Sequence, residues 1–149
     1  MVKESFFEKY KQEIYFWIIV IGAVVLDQIT KLIVYLNNPK IDLKLFEITF
    51  VKNTGAGFGI LQGQTVWLVL ISLAVVVTIL LNYNKIAKMK YAQYLFALFL
   101  GGVIGNLIDR AFRGYVIDFI SFKFWPAFNI ADACISIAVI GLIIYFWKK

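Results

Sequence analysis

Four apolar blocks separated by polar breaks run along this chain, at roughly 14–36, 64–81, 91–108 and 127–147. Each is close to the ~20 residues a helix needs to cross a hydrocarbon core of ~30 Å. The pattern therefore predicts a membrane all-α bundle of four transmembrane helices. Between the first two blocks lies a loop, 37–63, in which "IDLKLFEITFV" alternates apolar and polar positions, a strand or hairpin signal. "KNTGAGFGILQG" follows, and its Gly55, Gly57, Gly59 and Gly63 ask for turns or close backbone approach. The second long loop, 109–126, contains "FISFKFWPAF", whose Phe and Trp suit the headgroup region. A small β-sheet/loop region on one membrane surface is expected beside the helices. No repeat, low-complexity tract or linker interrupts the chain, so residues 1–149 read as a single domain.

Composition agrees: 62% of the 149 residues are hydrophobic and 16% charged, with mean hydropathy +0.82. A soluble domain of this length cannot hide so much apolar surface. The basic lead-in to the first block has the look of a secretory signal. Apolar character nevertheless resumes after "DQITK" as "LIVYL", and no small-x-small cleavage site stands out. The segment reads as an uncleaved signal-anchor.

Charge sets the orientation. Lys3, Lys9 and Lys11 precede the first block, Lys85, Lys88 and Lys90 crowd the short link after the second, and Lys148 and Lys149 end the chain. The long loops are more dilute in basic residues, with Lys40, Lys44 and Lys52 in one and Arg113 and Lys123 in the other. The positive-inside rule then puts both termini in the cytoplasm and both long loops, with their sheet, on the extracytoplasmic side. The net charge of +6 is accounted for by this asymmetry. Scattered at segment edges and forming no stripe, the basic residues give no nucleic-acid footprint.

The chain has no His, which removes Ser-His and Cys-His nucleophile pairs and most zinc sites. Its one Cys, Cys134, lies inside the last apolar block and reads as a packing residue. Carboxylate, amide, Lys, Arg and water remain as the means of catalysis.

Those groups converge. Asp27 and Lys31 share one face of the first helix, beyond its midpoint; Asn106 and Arg110 are four apart at the end of the third; Asn129 and Asp132 open the fourth; Asn53 and Asp118 lie in the loops. Connectivity alone puts all of them toward one side of the bilayer. Charges within a bilayer cost roughly 2.5–3.5 kcal/mol each on insertion scales. Asp27–Lys31 reads equally as a stabilising i,i+4 ion pair and as a functional one. Asn106 and Arg110 read as a helix-end clasp beside Gly101, Gly102 and Gly105, small residues that let helices approach. Asp118, in the apolar "YVIDFI", and Asp132, one turn into a membrane helix, each have a plain reading as turn former and helix N-terminal acid. Together, across a hairpin containing Pro126, they are placed to face each other in one cleft. Two carboxylates in a partly dry site share a proton, which provides a base for water and an acid for the leaving amine.

"DQITK", "NTGAGFG", "GGVIGNLIDR", "YVIDFI" and "FNIADACIS" stand in order across nearly the whole chain. In these motifs the chain resembles the prokaryotic lipoprotein signal peptidases (signal peptidase II), four-helix aspartic proteases of the bacterial cytoplasmic membrane. The resemblance implies that Asp118 and Asp132 are the catalytic dyad. It further implies that Asn53, Gly102, Asn106, Arg110 and Asn129 line the site, with Asp27 and Lys31 on the first-helix motif. By the same resemblance the substrate is a prolipoprotein cut before a diacylglyceryl-modified cysteine, without metal or cofactor. Globomycin-type cyclic peptides are the expected inhibitors, membrane lipid the surroundings, and a monomer the working unit. The chain departs from the family motif at Gly57, where the family carries Ala.

Arg110 is expected at one remove from the dyad, since direct contact would hold a carboxylate ionised; Gly59 or Gly63 is expected to act as a loop hinge. The reading from another class is a small ion- or proton-coupled transporter with Asp27, Asp118 and Asp132 as relay acids. Transport needs polar groups strung across the bilayer, and the second block offers only Thr and Ser.

Overall fold

The computed structural model describes residues 6–56 and 60–148, with side chains from Tyr10 onward. Gly57, Gly59, Lys3, the Lys9 side chain and Lys149 lie outside the described residues. Five helices and four strands follow in the order α1 (Phe6–Asn37), β1 (Lys40–Asp42), β2 (Phe46–Asn53), α2 (Thr65–Leu81), α3 (Tyr83–Ile86), α4 (Ala92–Arg113), β3 (Val116–Phe122), β4 (Trp125–Phe128) and α5 (Ile130–Trp147). Among the described residues, three stretches have the length and apolarity to cross a membrane: Tyr10–Asn37, Ala92–Arg113 and Ile130–Trp147. α2 is also apolar but shorter, at 17 residues.

α1 buries one stripe, Phe16, Val20, Ala23, Asp27, Lys31 and Val34, with spacings of three and four. That is the helical period, so Asp27 and Lys31 occupy the same line as the apolar core and face α4. Phe16 and Val20 pack with Ala97 and Leu100 of α4 and Ile79 of α2 in the main core. α4 is the central helix, touching α1, α2 and α5. It approaches its neighbours closely because its glycines leave no room for more: a Cβ on Gly102 would stand 2.5 Å from the Ala131 carbonyl oxygen of α5.

Three boundaries differ from the sequence reading: α1 already begins at Phe6, ahead of the apolar block expected from 14, and two more lie near the polar groups. The third apolar block was expected to end at 108, where Asp109 and Arg110 begin the polar stretch, yet α4 continues to Arg113. Charge does not stop a helix when it is paired four residues on, as Asp109 is with Arg113. The helix stops at Gly114, whose φ of +77° is the left-handed cap that glycine accepts. The second outer loop is therefore shorter than 109–126, and most of it is strand. The last helix starts at Ile130, three residues later than expected, because Asn129 caps it.

The strands form one antiparallel sheet in the order β1-β2-β3-β4. The hairpin expected after α1 is present, and it is extended by the aromatic segment before α5. Val116, Ile117, Asp118 and Phe119 are all buried, so β3 shows no alternation in sequence. Ile117 and Phe119 pack on Val34 of α1; Val116 and Asp118 point the other way, into a cavity.

Candidate active site

β2 and β3 pair with Val51 opposite Asp118. Asn53 lies two residues beyond Val51, on the same face and diagonal to Asp118. Its Nδ2 donates to Asp118 Oδ2 at 2.8 Å, while its Oδ1 accepts the Gly55 N–H at 2.9 Å. The glycine loop is thus tied to the acid. From the other side, Asn129 Nδ2 donates to Asp118 Oδ1 at 2.7 Å.

Asn129 and Asp132 form a capping box at the head of α5. The Asp132 N–H donates to Asn129 Oδ1 at 2.9 Å, and the Asn129 N–H donates to Asp132 Oδ2 at 3.2 Å. The plain reading of Asp132 as a helix-start acid is thus realised, but it uses one carboxylate oxygen only. The other, Oδ1, accepts from Asn106 Nδ2 at 2.8 Å. Asn106 Oδ1 in turn accepts from Lys31 Nζ at 2.9 Å and Asn129 Nδ2 at 3.2 Å. Two asparagine amides therefore link the carboxylates of Asp118 and Asp132.

Asp118 is 1% exposed. Burial, and after it the charge of Asp132, pushes its carboxyl up from 3.8 to about 6; the hydrogen bonds from Asn53 and Asn129 and the charge of Lys31 oppose this. Both acids line a cavity of about 780 Å³ together with Asn53, Asn106 and Arg110. Its apolar walls come from α2 (Leu68, Ile71), α5 (Ile135, Ile137) and Trp125 of β4. Arg110 donates to the Gly55 carbonyl at 3.0 Å and takes part in none of the ion pairs among the described residues. Gly102 packs one turn below Asn106 against Ala131 and Ile135.

Behind the cavity, Lys31 Nζ lies 2.9 Å from Asp27 Oδ2 and 3.1 Å from Asp109 Oδ2, all three side chains fully buried. Asp109 also pairs with Arg113 and accepts from Gln28. Asp109, Gln28 and Arg113 had not been singled out from the sequence. The available signal was the spacing of Asp109, three after Asn106 and four before Arg113, which becomes meaningful once α4 is extended past 108. Every other residue expected at the site converges here. Among the described residues, Gln93 is the one buried polar residue elsewhere.

A family model described as Signal peptidase (SPase) II matches residues 19–148. A lipoprotein signal peptidase of Halothermothrix orenii is 36% identical over 139 residues, covering 89% of this chain and 95% of that protein. Another, of Caldanaerobacter subterraneus subsp. tengcongensis, is 42% identical over 133 residues, covering 85% and 90%. Among solved structures, a bacterial membrane enzyme determined by the in meso method at 2.3 Å is 31% identical with a TM-score of 0.83, covering 89% of this chain and 87% of that one. With its motifs in order, its helices and sheet arranged like those of a solved membrane enzyme, and most of its length matched, this chain belongs to the signal peptidase II family, the lipoprotein signal peptidases.

Proposed function

We infer that this protein is an aspartic endopeptidase of the bacterial cytoplasmic membrane. It removes signal peptides from diacylglyceryl-modified prolipoproteins, with Asp118 and Asp132 as its dyad. The observation that carries the reading is two carboxylates on one cavity, joined through the amides of Asn106 and Asn129. One carboxylate takes a proton from water as the water oxygen bonds to the scissile carbonyl carbon. The other, protonated, hydrogen-bonds the carbonyl oxygen as it gains charge. Collapse breaks the C–N bond, and a proton passes to the departing amine of the lipidated cysteine. Asn106 and Asn129 hold the acids, Asn53 ties Asp118 to the glycine loop, and Arg110 orients that loop through the Gly55 carbonyl.

The lipid-modified substrate suits a cavity walled by apolar residues of α2 and α5. A signal helix and acyl chains enter sideways from the bilayer, and globomycin-type cyclic peptides occupy the same cleft. Four spans fit the sheet topology. β2 follows α1 and pairs with β3, which follows α4, so the outer ends of α1 and α4 share one membrane face. The chain between must cross back and out, and α2, at ~1.5 Å per residue, nearly matches the hydrocarbon core. The lysines of the short flanks support cytoplasmic termini, with the sheet and dyad on the extracytoplasmic side, and the working unit in this reading is a monomer. A proton-relay transporter is disfavoured by the gathering of buried polar groups at one end of the bundle.

The test is cleavage, in detergent, of a synthetic prolipoprotein whose lipobox cysteine carries diacylglycerol. The native chain should cut it, and Asp118→Asn and Asp132→Asn should each lose at least about 100-fold in rate while remaining folded. Normal cutting by either variant removes that residue from the dyad.

A further inference from the structure

Asp27 and Asp109 each hold a backbone N–H next to one of the two site acids. The Ala131 N–H, adjacent to Asp132, donates to Asp27 Oδ1 at 2.9 Å. The Ile117 N–H, adjacent to Asp118, donates to Asp109 Oδ2 at 3.0 Å. Lys31 lies between them, within 3.1 Å of both carboxylates, and its Nζ also donates to Asn106 Oδ1, which turns the Asn106 amide nitrogen toward Asp132. On the cavity side, Asp118 and Asp132 touch only amides and one backbone N–H. The amides join the carboxylates in front, and the backbone beside each acid is held from behind by a buried cluster on α1 and α4.

We propose that Asp109 is a positioning residue for the reaction: by holding the Ile117 N–H against the Asp27–Lys31 pair, it sets where Asp118 stands relative to Asp132. The sheet does not do this alone. Asp118, Ile117 and Val116 pair in register with Val51, Lys52 and Asn53, but the register shifts just beyond Asp118, between Ile48 and Val51. Regular pairing thus flanks Asp118 on one side only, and its position is fixed by a second anchor. Asp109 supplies it from α4, eight residues earlier in the chain, across the Gly114 cap. Asp109 touches no substrate and exchanges no proton with it; it acts through the backbone.

The proposal rests on the Asp118–Asp132 dyad reading, and the experiment separates the two. kcat and KM are measured against pH on a diacylglyceryl-modified lipobox peptide for the native chain, Asp109→Asn, Asp109→Glu and Asp118→Asn. The Asn variant keeps an acceptor of the right length for the Ile117 N–H but loses the charge. The Glu variant keeps the charge but moves its carboxylate by a methylene. Positioning requires Asp109→Glu to lose at least tenfold in kcat, with KM within about twofold and the pH limbs of kcat displaced, and Asp109→Asn to retain more activity than Asp109→Glu. Should Asp109→Asn not fold, Asp109→Glu alone decides: native kcat and native pH limbs in that variant overturn the proposal. An Asp109→Glu variant more active than a folded Asp109→Asn also overturns it, because charge balance is then what the cluster supplies. If Asp118→Asn cuts normally, the dyad reading fails and the proposal with it; if only Asp118→Asn is impaired, the dyad stands and the positioning role is gone.

Discussion

Asn129 donates to Asp118 through Nδ2 and accepts from the Asp132 backbone through Oδ1, so its amide is oriented from both ends. Asp118, with two amide donors and almost no solvent, still prefers its proton more strongly than in an unfolded chain. The linkage has a definite sign. A carboxyl whose folded value, about 6, exceeds its ordinary 3.8 binds its proton more tightly when folded. The stabilisation is full below about 3.8 and is lost as pH rises through about 6, amounting to about 3 kcal/mol at ~1.4 kcal/mol per pH unit. Asp118→Asn has no such titration. Thermal melting of both proteins between pH 4.5 and 7.5 should therefore show the native Tm falling relative to the variant by several degrees as pH rises. A constant difference between the two curves would show that Asp118 titrates at its ordinary value.

At the scale of elements, the site depends on how closely α4 and α5 approach. A Cβ at Gly102 would stand 2.5 Å from the Ala131 carbonyl oxygen and 2.8 Å from Ile135 Cγ1. One of these is backbone, so the helices must part. Gly102→Ala should destabilise the protein by about 1–3 kcal/mol and lower Tm by roughly 3–10 °C. Cleavage should slow as well, since Asn106 and Asp132 sit one turn away on the two separated helices. Gly22→Ala is the comparison: nothing lies within 4 Å of its added Cβ, and its Tm and activity should match the native protein's. A stable, fully active Gly102→Ala would mean that the α4–α5 contact is looser than this packing. These two sites look alike in sequence, each a glycine within an apolar helix. Only the neighbouring helix distinguishes them.

At the scale of the molecule, the sheet ties the ends of α1 and α4 to one face, and the proposed four-span topology can be tested by labelling. On a Cys134→Ser background, single cysteines at Lys85, Lys123 and Lys148 can be probed with a membrane-impermeant maleimide on intact cells. Only the cysteine replacing Lys123 should label; the other two should label once the membrane is opened. Labelling of all three from outside would break the four-span arrangement. Membrane character is read from the chain itself, because apolar run length acts locally and needs no partner; lysine placement, equally local, is what the proposed orientation rests on. The two acids were legible as well, since a carboxylate in an apolar run stands out whatever it touches. Asp109 was not: beside Arg110 at the end of an apolar block it looks like the solvated start of a loop. The Asp109–Arg113 spacing and Gly114 are local signals that carry α4 on to Arg113, but the burial of Asp109 against Lys31 is a consequence of packing α4 on α1, which no local pattern records. The same holds for β3, whose two buried faces erase the alternation that marks a strand. The sequence by itself thus determined a membrane bundle with its polar chemistry gathered toward one side. Tertiary structure alone decided which amides join the two acids and which buried charges hold the backbone beside each acid, because hydrogen bonds between distant segments exist only once those segments are packed together.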